Sequence, residues 1–181
     1  MDGVDLAQRW LESTTWIELP FNVYDNSAVC TLTKLDNSVK RYDLFGSIFT
    51  KPNKPVYVEV KNYDSSGGKQ PAEYVEFLAN AYSITAKDLE SGQDGRREFM
   101  WVTTHPFSLT GWATLTSPSA IKDALGKHPD VLDGKNIDVD LLDLVSDRLW
   151  LLVLHRRQEE LMLTREELSL IEAQINRKGK R

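Results

Sequence analysis

Stretch 54–77 places an acidic and a basic residue inside a strand-like run of valines. Side chains two positions apart on a strand point to the same side of a sheet, so Glu59 and Lys61 face together, opposite to the valines around them. An ordinary ion pair on a half-exposed face explains this pattern. A site that binds and acts on a ligand explains it as well.

A second acidic residue lies on the strand-like segment that precedes this one. Asp43 stands among large apolar residues, although aspartate is disfavoured in strands. Two carboxylates on neighbouring strands suit a divalent cation, because Mg²⁺ takes one or two carboxylates together with waters and a phosphate oxygen. The backbone carbonyl of Val60 is a further candidate ligand. Lys61 would lie beside a metal-bound water and could lower the pKa of that water.

The segment that follows adds two polar groups on one predicted helix. Gln70 and Tyr74 are four residues apart and therefore share a helical face. Both side chains can hydrogen-bond a phosphate or orient a water. Packing of Tyr74 and capping by Gln70 account for the same spacing, so both interpretations stay open.

These residues together resemble the PD-(D/E)XK nuclease superfamily. Asp43, then E-V-K from Glu59 to Lys61, then Q-P-A-E-Y from Gln70 to Tyr74 is similar to the branch with a Q-x3-Y element, which includes RecB-type and phage-lambda-type exonucleases. The resemblance implies that the two acids bind Mg²⁺ or Mn²⁺ and that the lysine assists the attacking water. It also implies that the glutamine and the tyrosine support the site or contact the substrate.

Members of this branch often have a further glutamate on the first helix. Glu12 is the best match and Glu18 a weaker one, and a solvated surface charge explains Glu12 equally well. The sequence departs from the family pattern in having Tyr42, and not proline, before Asp43. The resemblance covers roughly residues 2–105 of the sequence.

The periodicity of apolar residues predicts a domain that mixes helices and strands. Helices are expected at 2–13, 70–82, 117–125 and 164–178, and strands at 14–24, 27–35, 39–50, 56–63, 99–104 and 148–157, with a helix as the alternative for the last of these segments. The fold class is therefore α/β (α+β), with a mixed central sheet flanked by helices. The resemblance implies a restriction-endonuclease-like core in the order αβββαβ. We expect a single domain over residues 1–181, with its core at about 2–125 and an extension at about 126–181 that completes the sheet and ends in a helix.

Composition limits the classes of function. The chain has 181 residues, 41% of them hydrophobic, and a formal net charge of −5. A protein that holds nucleic acid by charge alone is usually basic, so a local basic surface, a metal ion or a partner would have to supply positive charge. Cys30 is the single cysteine, which excludes an internal disulfide framework. We expect no membrane segment and a cytoplasmic location.

The resemblance implies a magnesium-dependent deoxyribonuclease that hydrolyses DNA phosphodiester bonds. Genome defence, including antiviral defence, restriction or repair would suit such an enzyme. Its partners would be DNA and a helicase, ATPase or other DNA-binding subunit, or further copies of the chain. The alternative is a catalytically inactive nuclease-fold subunit that binds nucleic acid or serves as a scaffold. A third interpretation is an unrelated α/β domain whose charged residues form ordinary ion pairs.

Overall fold

One helix precedes a run of five strands, and helices and the last two strands are interspersed along the rest of the chain. The computed structural model describes residues 3–63, 68–108 and 110–175. The helices in these ranges are α1 (Gly3–Thr14), α2 (Gln70–Glu90), α3 (Pro118–Lys127), α4 (Val139–Ser146) and α5 (Arg165–Ile175). The strands are β1 (Ile17–Asn22), β2 (Thr31–Thr33), β3 (Val39–Arg41), β4 (Leu44–Ile48), β5 (Lys54–Lys61), β6 (Glu98–Thr103) and β7 (Leu149–Val153). Within these ranges, no helix combines the length and the apolar character needed to cross a membrane.

Strand β5 is the central strand of a five-stranded sheet with the order β1–β4–β5–β6–β7. Strand β4 runs antiparallel to β1 and to β5, whereas β5, β6 and β7 are parallel to one another. Parallel neighbours need a long crossover connection, and α2 occupies the connection from β5 to β6. As a result, the carboxyl ends of β5 and β6 lie side by side, with Lys61 paired to Thr103.

The sheet separates two apolar layers, and the alternation along β5 decides which side chains enter each layer. Val56 and Val58 are fully buried and pack in a cluster with Leu11 of α1. Tyr57 lies on the opposite face, in a larger cluster that includes much of α2. Because Glu59 is two residues beyond Tyr57, its side chain points toward the α2 side of the sheet.

The predicted fold class, a mixed sheet flanked by helices, is confirmed. The predicted strand at 39–50 is wrong as a single element, because it divides into β3 and β4. Strand β3 pairs with β2 in a separate two-stranded sheet, the β2–β3 ribbon. The division falls at Asp43, whose carboxylate accepts a hydrogen bond of 2.7 Å from the N–H of Val60. The strand partners change at this point, because β3 pairs with β2 whereas β4 pairs with β1 and β5.

Helix α4 lies within the C-terminal extension expected at about 126–181 but is absent from the helices expected from the sequence. Asp138 caps this helix, and its carboxylate accepts hydrogen bonds from the backbone N–H groups of Asp140 and Leu141. Leu141 and Val145, one turn apart, are buried. The predicted helix at 164–178 corresponds to α5, and its last three residues lie outside the described residues.

A close approach of β1 to β4 explains the glycine at position 46. The pairing of the two strands is irregular between Glu18 and Phe21. A Cβ atom on Gly46 would overlap the carbonyl oxygen of Glu18 and would lie 2.7 Å from the Cα of Leu19. Only glycine fits between two backbones at this separation.

Candidate functional site

Glu59 is a buried carboxylate with a lysine beside each of its two oxygens. It lies near the carboxyl end of β5, and 6% of its surface is exposed. Lys61 Nζ lies 3.0 Å from Oε1, and Lys40 Nζ lies 3.0 Å from Oε2. Oε2 has no hydrogen-bond partner among the described residues, so Lys40 contacts it as an ion pair without the alignment of a hydrogen bond. The two lysines together neutralise a charge that would otherwise be costly to bury.

Lys61 has a second acidic partner on α2. Its Nζ lies 3.2 Å from Glu73 Oε2, which also accepts a 2.8 Å hydrogen bond from the hydroxyl of Tyr63. Burial lowers the pKa of Lys61, but the negative charges of Glu59 and Glu73 outweigh burial and hold this pKa above its usual value. Burial raises the pKa of Glu73, but Tyr63 and Lys61 outweigh that effect and hold it below its usual value. Both groups are therefore charged at neutral pH.

Asp43 is the second carboxylate on this side of the sheet. Burial raises its pKa above the usual value, and the charge of Glu59 adds to that effect, while the hydrogen bond from Val60 N–H acts in the opposite direction. In this structure Val60 thus contributes its N–H to the site. Five charged residues that interact with one another form the ionic cluster: Lys40, Asp43, Glu59, Lys61 and Glu73.

Gln70 joins the start of α2 to the carboxyl end of β6. Its side chain is fully buried. Its Nε2 donates to Thr103 Oγ1 at 2.5 Å and to the carbonyl oxygen of His105 at 3.2 Å. Its Oε1 has no hydrogen-bond partner among the residues that the structure describes. The predicted capping role is not what the side chain does, since Lys69 occupies the N-cap position.

Tyr74 packs in an aromatic cluster. Its ring lies 5.3 Å from that of Trp101 and 5.8 Å from that of Phe77, measured between centroids. Its hydroxyl donates to the carbonyl oxygen of Leu115 at 3.1 Å, and burial raises the pKa of the phenol well above its usual value. These contacts give Tyr74 a structural role, because its ring packs among other aromatic rings and its hydroxyl is hydrogen-bonded to the backbone of another segment.

Glu12 makes a local contact at the end of α1. Its carboxylate accepts a 2.9 Å hydrogen bond from the backbone N–H of Leu19 on β1. Across residues 3–63, 68–108 and 110–175, no group of three or more His, Cys, Asp or Glu side chains could hold a metal ion. Glu12 therefore does not join Asp43 and Glu59 in a set of three carboxylates.

The carboxylates of Asp43 and Glu59 have the oxygen donors that a hard divalent cation requires. Asp43 and Glu59 interact electrostatically, and Glu59 Oε2 is a buried oxygen without a hydrogen bond in the described part of the chain. Mg²⁺ is commonly bound through one or two carboxylates, with waters and the oxygens of a phosphate as its other ligands. The residues fit a cation that arrives with a phosphate-bearing ligand better than a cation held by protein groups alone.

Sequence reasoning missed Lys40 and Glu73. Glu73 lies inside the Q-P-A-E-Y stretch, one residue before Tyr74, and its helical position next to β5 was a usable signal. Lys40 lies only three residues before Asp43. No local pattern brings it to Glu59, because the contact depends on how the β2–β3 ribbon folds over the sheet.

No protein-family model matches the chain, and neither does any curated protein sequence. The chain is similar to a solved structure of a Cap4 SAVED/CARF-domain containing receptor from Moraxella osloensis, with 13% identity and a TM-score of 0.39, over 96% of this chain and 35% of that one. It is also similar to the receptor of that description from Acinetobacter baumannii with the cyclic trinucleotide 3′3′3′-cAAA, with 15% identity and a TM-score of 0.42, over 97% of this chain and 36% of that one. The structure of the Acinetobacter receptor with 2′3′3′-cAAA matches at 17% identity and a TM-score of 0.38, with the same coverage.

The chain thus spans about a third of the length of these receptors. The comparison corrects the expectation of a metal-dependent nuclease that hydrolyses DNA. All three matched structures are described as receptors, and the two of the Acinetobacter receptor are described with a cyclic trinucleotide. The resemblance to the PD-(D/E)XK superfamily stays a prediction, and the similarity to receptors assigns no ligand to this chain.

Proposed function

We propose that the chain is a ligand-binding module that senses a small phosphate-bearing nucleotide together with a divalent cation, in a cytoplasmic defence response. One observation carries the proposal. Glu59 is a buried carboxylate at the carboxyl end of the central strand, flanked by two lysines, and one of its oxygens lacks a hydrogen bond within the described residues.

The position and the energetics of the ionic cluster both support a ligand site. Ligands of open α/β sheets bind at the carboxyl ends of the strands, where Lys61 and Thr103 lie side by side. Buried ion pairs contribute little to stability, and apolar residues of similar volume often serve a fold as well. Ionisable groups with shifted pKa values concentrate at functional sites, and here Asp43, Lys61 and Glu73 all have shifted pKa values.

Each residue has a distinct part in this proposal. Asp43 and Glu59 would hold Mg²⁺ or Mn²⁺, and the cation would supply positive charge between these carboxylates and the ligand's phosphate. Lys61 contacts a phosphate oxygen as a point charge, and Glu73 holds its ammonium in place. Gln70 fixes the start of α2 against β6 and so preserves the spacing between the site and the helix.

Cyclic trinucleotides are the first ligands to test, because the matched Acinetobacter receptor was solved with two of them. We expect isothermal titration calorimetry to show saturable binding of 3′3′3′-cAAA or 2′3′3′-cAAA in the presence of Mg²⁺. Chelation of the cation should weaken binding. Glu59→Gln removes the negative charge with little change of shape and should weaken binding by about tenfold or more, the effect of losing roughly 1.4 kcal/mol.

Glu90→Gln is the matched control. Glu90 forms an exposed ion pair with Lys135 at the far end of α2, so this variant should bind as the wild type does. The proposal fails if the wild type binds neither trinucleotide, or if Glu59→Gln binds as tightly as Glu90→Gln. Chromatography of the ligand after incubation should recover it intact, and cleaved ligand would contradict a sensing module.

A further inference from the structure

Lys40 differs from the other members of the ionic cluster in the element that carries it. It lies on β3, in the β2–β3 ribbon, whereas Glu59 and Lys61 lie on the central strand of the large sheet. Its Nζ reaches Glu59 Oε2 at 3.0 Å and lies 5.5 Å from the centre of the Tyr42 ring. Its side chain is 22% exposed, which leaves the ammonium a short path to water.

The two lysines at Glu59 have unequal alternatives. Lys61 has a second ion pair with Glu73 at 3.2 Å, so it stays neutralised when it releases Glu59. The recorded ion pair of Lys40 is the one with Glu59, and it lacks the alignment of a hydrogen bond. A second cation at Glu59 would therefore displace Lys40 more readily than Lys61.

Glu59 Oε2 is also the buried oxygen of this carboxylate that has no hydrogen bond in the described residues, so it is the oxygen with capacity left for a cation. This oxygen is buried, and its recorded contact in the described residues is the ammonium of Lys40. A lysine ammonium and a divalent cation cannot both occupy this side of the carboxylate without strong repulsion. Binding of one excludes the other.

We propose that Lys40 is an exchangeable internal cation, which neutralises Glu59 when no ligand is bound and turns to the ligand's phosphate when a divalent cation takes Glu59. This inference rests on the proposed function and adds a residue that couples the cation to the ligand. Lysine suits the exchange because its flexible stem carries a compact point charge. The exchange favours phosphate-bearing ligands. A cation alone displaces Lys40 and leaves it without a new anionic partner, whereas a ligand with a phosphate provides one.

The exchange predicts that loss of the Lys40 charge changes two affinities in opposite directions. Lys40→Met keeps an unbranched apolar stem and removes the charge. Without nucleotide, this variant should bind Mn²⁺ about three- to tenfold more tightly, because no ammonium competes for Glu59. With saturating Mg²⁺, it should bind the trinucleotide about three- to tenfold more weakly, because the phosphate loses a contact.

Lys34→Met is the matched control, since Lys34 follows β2 in the same region and its ion pair is with Asp36, at 3.6 Å. Lys34→Met should leave both affinities unchanged. Lys40→Arg keeps the positive charge and should show the Mn²⁺ and trinucleotide affinities of the wild type. The Mn²⁺ titration is read by electron paramagnetic resonance of the free ion and needs no nucleotide. It therefore tests Lys40 even if the wild type binds no trinucleotide, a result that would sink the proposed function alone.

Three results would overturn the role of Lys40. These are equal Mn²⁺ affinity of Lys40→Met and Lys34→Met, weaker Mn²⁺ binding in Lys40→Met, and absence of Mn²⁺ binding in the wild type. Unchanged trinucleotide affinity in Lys40→Met, with tighter Mn²⁺ binding, would contradict the transfer to phosphate. Thermal unfolding of each variant confirms that it is folded before titration.

Discussion

Replacement of Glu59 by glutamine tests whether the ionic cluster is coupled as the structure describes. The carboxylate is 6% exposed and has a lysine ammonium 3.0 Å from each oxygen. Breaking a fully buried ion pair costs about 3–5 kcal/mol, and losing a hydrogen bond to a charged group costs about 1.5–3 kcal/mol. Both lysine side chains are more than a fifth exposed, and Lys61 keeps Glu73. The expected loss in the free energy of unfolding is therefore closer to the range for a hydrogen bond to a charged group, roughly 2–3 kcal/mol.

The assay is urea unfolding at neutral pH, followed by circular dichroism, without nucleotide or divalent cation. In a chain of this size each kcal/mol lowers the melting temperature by about 2–4 °C, so a thermal scan should show a fall of about 4–12 °C. Glu90→Gln breaks a pair whose side chains are 43–45% exposed, and such pairs contribute about 0–1 kcal/mol. A loss for Glu59→Gln no larger than that for Glu90→Gln would refute the coupling.

Three further predictions concern residues outside the ionic cluster. Tyr74→Phe should lower the free energy of unfolding by about 1 kcal/mol, the value of one lost hydrogen bond, and should leave trinucleotide affinity unchanged in calorimetry; a large loss of affinity would show that its hydroxyl reaches the ligand. Gly46→Ala should cost more than about 3 kcal/mol in urea unfolding, since the added Cβ meets two backbones and forces a shift beyond ordinary overpacking, and near-wild-type stability would contradict the close approach of β1 to β4. Asp94→Asn removes a two-bond contact to the guanidinium of Arg148 and should cost about 1.5–3 kcal/mol at neutral pH. Arg148 holds the pKa of Asp94 below its usual value, so the wild type loses this stabilisation as pH falls through about 4 and below. The free energies of unfolding of the wild type and Asp94→Asn should therefore become equal in acid. A difference that stays constant with pH would refute this role of the Asp94 charge.

The central strand was predictable because its two faces differ in chemistry. Alternation along β5 placed Glu59 and Lys61 on one face, and the structure pairs them at 3.0 Å. Tyr74 shows the limit of the same kind of pattern. Helical spacing fixed its face, but a tyrosine serves either packing or ligand contact, and its aromatic neighbours come from distant segments.

The parts that sequence could not supply depend on long-range contacts. The division of the predicted strand at Asp43 follows from one hydrogen bond to Val60 on another strand. Lys40 reaches Glu59 only because β3 pairs with β2 and not with the large sheet. Local propensity contains neither piece of information, since both contacts depend on how separate strands are brought together.

The most direct test of the central claim is a map of backbone amide chemical shifts during titration with 3′3′3′-cAAA and Mg²⁺. If the ionic cluster binds the ligand, the largest changes will fall at the carboxyl ends of β5 and β6 and at the start of α2, on amides such as Val60, Lys61 and Gln70. In Glu59→Gln the same changes should appear only at about tenfold higher ligand concentration or more. Shifts confined to the opposite face of the sheet, around Trp150 and Phe49, or no shifts at millimolar ligand, would contradict the proposal.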